Sequence, residues 1–144
     1  MSSLIKIPWV KTGLKLNQKI GILTAYAAGM KKNLFENCGV YDSKSYIIAD
    51  LSYLSEFSVI IENRGSFNHA KVRQEVVTAS LDLVYKNPDI GAVLLECSDL
   101  PPYTKDIQSH VQLPVYDFIT LINWFTILLV INHIMVLFNH LNME

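Results

Sequence analysis

Cysteine is scarce in this chain. Cys38 and Cys97 are the only two in 144 residues, and neither belongs to a CxxC or CxH arrangement, which argues against a disulfide framework and against a zinc site. A reducing, cytoplasmic setting is the simplest reading of two isolated thiols. Charge is also thin, at 17% of residues, and nearly balanced at a formal net of -1. No long-range field is therefore available to recruit nucleic acid or anionic lipid. There is no internal repeat and no low-complexity linker, and the first ten residues carry one lysine and too short an apolar run for a secretory signal.

What is present in excess is apolar side chain, 51% of the residues, above the average for soluble domains. The excess is local. From Phe118 to Met143 no residue is charged, and a run of about 20 mainly apolar residues is long enough to cross a bilayer. Asn123, Asn132 and His133 would each need a partner in hydrocarbon, and no basic cluster flanks the run to orient it. A long apolar C-terminal helix buried against protein is the favoured reading, with membrane association through 118-138 as its alternative.

The remainder alternates between two periodicities. Lys19 to Thr24 reads as a strand running into a small-residue turn and a helix that ends near Asn37, where Cys38-Gly39 closes it. Tyr46 to Ala49 is a second strand, and Phe57 to Ile61 a third strand or an apolar loop. Between Asn68 and Lys86, Val72, Val76, Ala79, Leu83 and Val84 recur at helical spacing; Asn68 or Ser66 can cap the start, and Asn87-Pro88 ends it. A strand at Gly91 to Leu95, a helical segment from Tyr103 to His110 and a short strand at Leu113 to Tyr116 follow. The alternation predicts an α/β fold with a mostly parallel sheet flanked by helices.

One position carries chemistry. The apolar strand ends in Cys97, Ser98 and Asp99, and Pro101-Pro102 forbids its continuation. In parallel sheets the carboxyl ends of strands open into the crevice where ligands bind. A thiolate at such a place can move protons. Cys97 is therefore the candidate catalytic residue, with Ser98 and Asp99 as candidate substrate-binding groups. Cys38, at a helix end, reads as a buried structural thiol. His69 and His110 read as solvated, His133 and His140 lack a third metal ligand, and Arg64-Gly65 reads as a surface turn. No metal or cofactor is expected.

Ile20 to Ala25, Arg73 to Val77, Asn87 to Tyr103 and Leu113 to Trp124 together resemble the aspartate/glutamate/hydantoin racemase superfamily, over roughly Ser2 to Trp124. The resemblance implies one lobe of a two-lobed fold, a small carboxylate substrate and cofactor-independent isomerase chemistry, in which one cysteine on each lobe moves a proton at the α carbon. Cys97 matches the second-lobe cysteine, Ser98 stands where a threonine often follows, and Thr24 matches a hydroxyl that touches the substrate. Asp99 departs from the usual His or Glu. On this reading residues 1-18 are a linker remnant, 19-117 the α/β lobe and 118-144 the apolar helix, and the first lobe with its thiol is absent. The expected protein is racemase-like and inactive alone, completed by a partner lobe or by self-association. The alternative is a non-catalytic remnant, tethered to a membrane by its tail.

Overall fold

The computed structural model describes residues 2-141, with the side chains of 128 and 132-141 outside the description. After a 3-10 turn at Ser3–Lys6, the elements are α1 (Ile7–Thr12), β1 (Lys19–Thr24), α2 (Lys32–Asn37), β2 (Tyr46–Asp50), α3 (Phe57–Ile61), α4 (His69–Lys86), β3 (Ile90–Glu96), α5 (Thr104–Val111), β4 (Val115–Tyr116) and α6 (Phe118–Leu141). The strands form one sheet in the order β2-β1-β3-β4, with every pair parallel. The expected α/β architecture is present.

Alternation along β3 divides its side chains between two cores. Val93 and Leu95 enter one with Val72, Val76, Leu83, Leu100 and Ile107, whereas Ala92 and Leu94 enter the other with Leu4, Ile7, Val10 and Phe35. The period-two geometry of a strand makes this unavoidable. Both faces are covered, as a parallel sheet requires. Gly21 lets α4 close on β1: a Cβ there would stand 3.0 Å from the side chains of Leu83 and Ile90.

Three segments differ from the sequence reading. Ser2 to Val10 forms the 3-10 turn and α1, with Pro8 in the first helical turn, where its missing N–H costs nothing. Lys6 is 2% exposed; its Nζ donates to the Asp117 carbonyl at 3.0 Å and to Thr120 Oγ1, so this segment is tied to the start of α6. Burial pulls that ammonium down to about 8, against the Asp117 charge. Phe57 to Ile61, offered as a strand or loop, is helix α3. Among the described residues, no helix is long and apolar enough to cross a membrane, so the spanning reading of 118-138 has no support there; His133, His140 and the far part of that run lie outside the described side chains.

The cause of the helix at Phe57 lies on α4. Glu75 accepts from the backbone N–H groups of Glu56 and Phe57 at 3.0 and 2.9 Å and from the Ser55 hydroxyl at 2.8 Å, satisfying donors that a helix start leaves orphaned. Burial pushes the Glu75 carboxyl up, but these bonds outweigh it and hold the group below its ordinary value. Glu75→Gln is expected to cost about 2 kcal/mol at pH 7, since bonds to a charged acceptor are among the stronger ones. A depressed carboxyl contributes stability above its ordinary pKa and loses it as pH falls through the folded value. The gap between wild type and variant in urea unfolding should therefore close in acid; a gap unchanged by acid would refute the assignment.

Candidate active site at the ends of β1 and β3

β1 is the point at which the chain reverses its direction of sheet growth. It pairs with β2 on one side and with β3 on the other, and the crevice outside the carboxyl ends of two such strands is where open α/β sheets bind ligands. Thr24 and Glu96 are register partners at that end, with Asp50 facing Thr24 from β2. Cys97, Ser98 and Asp99 follow immediately.

A cavity of about 250 Å³ lies there, lined by Ser3, Glu96, Cys97, Ser98 and Phe118. It is somewhat below the roughly 300–1,000 Å³ of pockets for drug-sized ligands, which suits a molecule of few heavy atoms. A larger concavity of about 720 Å³, bordered by Lys105, Gln108 and Pro114, is an open groove at the start of β4. It lies at the amino end of β4, away from the carboxyl ends of β1 and β3, so the smaller cavity is the better candidate.

Cys97 is half-buried, and its Sγ donates to Asp99 Oδ2 at 3.6 Å. Burial first, helped by the negative charges of Asp99 and Glu96, pushes the thiol up to about 11; a backbone N–H contributed by Asp99 opposes the rise without overcoming it. The neutral thiol is therefore the resting form. Thr24 is buried, and its hydroxyl receives only a long contact from Tyr26 N–H at 3.5 Å. Ser98 and Asp99 are both exposed; Ser98 borders the cavity, and Asp99 touches the site through Cys97.

Glu96 escaped the sequence reading, because a carboxylate at a strand end looks solvated. Its Oε1 accepts from the Ser2 hydroxyl at 2.5 Å, a partner 94 positions away. Its Oε2 is buried without a hydrogen-bond partner. The signal available in sequence was alternation: if Cys97 follows Leu95 on one face, Glu96 must follow Leu94 on the other. Cys38 stands on that second face, packed against the α1/α2 core. Burial raises its thiol, as does Glu96, while a hydrogen bond with Ser2 acts in the opposite direction.

The remaining sequence candidates are elsewhere. His69 Nδ1 lies 3.4 Å from the Tyr103 hydroxyl, and exposed His110 folds back on the Asp106 carbonyl at 2.7 Å. Arg64 is engaged by Glu62 at 2.7 Å and by Ser58 at 2.6 Å. Among the described residues no group of three His, Cys, Asp or Glu side chains is placed to hold a metal.

Comparison with known proteins bears on the chemistry. The chain is 29% identical over 129 residues to a dimethylsulfoniopropionate lyase of Durusdinium sp. clade D, a match covering 87% of this chain and 42% of that protein. It is 31% identical over 133 residues to dimethylsulfoniopropionate lyase 7 of Emiliania huxleyi strain CCMP1516, covering 87% and 39%, and 29% identical over 131 residues to lyase 3 of the same strain, covering 85% and 34%. The chain thus spans about two-fifths of the length of the first two relatives. No protein-family model matches, and no solved structure matches.

These findings overturn the racemase resemblance, since the relatives carry a lyase name and no family model supports a racemase. The misreading has a physical source. The most specific of the segments that carried it is a buried strand ending in a thiol and a proline turn, features that mark where a crevice opens in a parallel sheet without specifying the reaction performed there.

Proposed function

We propose that this chain forms one wall of a lyase site acting on dimethylsulfoniopropionate or a similar zwitterion, with Cys97 as the base. The observation that carries the reading is the long match to dimethylsulfoniopropionate lyases, which at 87% of the chain necessarily includes residue 97. The substrate has a sulfonium two carbons from its carboxylate. A thiolate takes the proton α to the carboxylate, the electron pair forms the carbon–carbon double bond, and the carbon–sulfur bond breaks, yielding dimethyl sulfide, acrylate and the thiol. Unlike stereochemical inversion, this elimination needs a proton acceptor on one face only. Ser98 supplies a hydroxyl to orient the carboxylate, and Asp99 orients the thiol.

Headspace gas chromatography for dimethyl sulfide, with the purified chain alone and mixed with candidate partner polypeptides, tests the reading. Release above the buffer rate supports it. Exchange of the α proton with deuterated water without any release of sulfide would sink it.

The proposal includes self-association or a partner lobe. Ile119, Ile122 and Ile127 are 49%, 43% and 57% exposed on α6, and uncovered apolar area is unfavourable by roughly 25 cal/mol per Å². Size-exclusion chromatography with light scattering at micromolar concentration is expected to return a mass above the 16.3 kDa of one chain; a stable monomer would contradict the self-association arm. Two free cysteines fit a cytoplasmic setting for this chemistry.

A further inference from the structure

The cavity beside Cys97 is bordered by Glu96, whose carboxylate is only half satisfied by the protein. Glu96 Oε1 is held by the Ser2 hydroxyl, which fixes the group, while Oε2 is buried and unpartnered. Such an atom forgoes the hydrogen bonds it would have in water. Among the described residues no lysine, arginine or histidine forms an ion pair with Glu96. The remaining wall includes Phe118, whose ring belongs to the first turn of α6. A fixed carboxylate and an aromatic ring bordering one small cavity are the two groups that hold an alkylated cation, which has no N–H to donate and is attracted by charge and by the ring quadrupole.

We infer that Glu96 and Phe118 form an onium subsite, which seats the sulfonium of the substrate and thereby positions its α carbon toward Cys97. This inference rests on the lyase reading and adds to it the residues that select a cationic leaving group over a neutral one. Alternation along β3 supplies the placement. Glu96 and Cys97 are adjacent residues on opposite faces of the strand, yet both border the cavity at its end. A molecule held by one is therefore presented to the other.

The subsite also explains how a resting thiol is recruited. Glu96 and Asp99 disfavour ionisation of Cys97, and a cation bound in the cavity beside Glu96 offsets that negative charge and favours the thiolate. The ligand that needs the base thus helps to generate it. A neutral analogue would not.

Tetramethylammonium is a suitable probe, since it has the charge and shape of the onium but cannot undergo elimination. Alkylation of Cys97 by iodoacetamide, followed by peptide mass spectrometry so that Cys38 is counted separately, reads the thiolate fraction. At saturating probe the Cys97 rate is expected to rise about tenfold at pH 7, the effect of a one-unit fall in thiol pKa. Sodium at the same ionic strength should leave the rate unchanged. Glu96→Gln, which retains an acceptor for Ser2, should raise the basal rate and abolish the increment. Phe118→Leu should weaken the probe's half-saturation several-fold. An increment absent from the wild type, or equal in Glu96→Gln, overturns the subsite. Because the probe is inert, failure of the subsite is distinguishable from failure of the lyase reading: turnover without the increment removes only the former, and the increment without turnover only the latter.

Discussion

Replacing Cys97 with alanine is expected to lower dimethyl sulfide release by at least about 10²-fold, the usual contribution of a positioned general base, while leaving the unfolding midpoint close to that of the wild type. The methyl group left behind is small, and the thiol's recorded hydrogen bond is a long one to exposed Asp99. The pH dependence gives an independent check. With the thiol pushed up to about 11 by burial and then by its acidic neighbours, only about one molecule in 10⁴ carries the thiolate at pH 7 in the empty site. The second-order rate constant should then rise about tenfold per pH unit.

That profile is best read between pH 7 and pH 9. A thiol whose folded pKa lies above its ordinary 9.0 stabilises the folded chain through its neutral form, and this stabilisation is lost as pH rises from about 9 towards 11. Above that window, falling activity would mix chemistry with unfolding. Alanine activity within a few-fold of wild type, or a flat profile below pH 9, would remove Cys97 from the role of base. Cys97→Ser provides the complementary control, because its hydroxyl fills the space but is far harder to ionise.

How far the site was legible in sequence depends on the distance over which each residue is determined. The strand-end placement of Cys97 was legible because its cause is local: an apolar strand, an abrupt end and two prolines lie within a dozen residues. The same holds for α4, where Asn68 caps the helix by accepting from Ala70 and Lys71 N–H, one of the two caps its sequence offered. Glu96 was missed because its environment comes from Ser2 and Phe118, residues far away along the chain. Helix α3 was missed for a similar reason. Its Phe-Ser-Val-Ile-Ile run has the composition of a strand, and the Glu75 carboxylate that caps it lies on the next helix. Local propensity gave way to a tertiary contact, as weak propensities do.

Leu95→Ala should carry the largest stability loss of any single substitution proposed for this chain, about 3 to 4 kcal/mol. Leu95 is 0% exposed on the central strand and packs in the core with Leu51, Phe57, Val76, Leu100 and Ile107. These neighbours come from separate elements on one face of the sheet, so the walls cannot all collapse into the space vacated by three carbons. The cost then includes the lost transfer energy and most of the cavity term. Against a typical domain stability of about 5 to 15 kcal/mol, the variant should show a markedly lower urea midpoint with an unchanged slope. Leu81, on the outer side of α4 and 39% exposed, provides the contrast: Leu81→Ala should stay within about 0.5 to 1 kcal/mol. The strand position also links this loss to the site, because Leu95 and Cys97 share a face and the same backbone aims both. Where the variant remains folded in the absence of urea, its Cys97 alkylation rate should rise as the loosened strand end lets water reach the thiol and burial raises its pKa less. A loss below about 1 kcal/mol would mean that Leu95 does not occupy the close-packed interior, and the alternation that places Glu96 and Cys97 on opposite faces would fall with it.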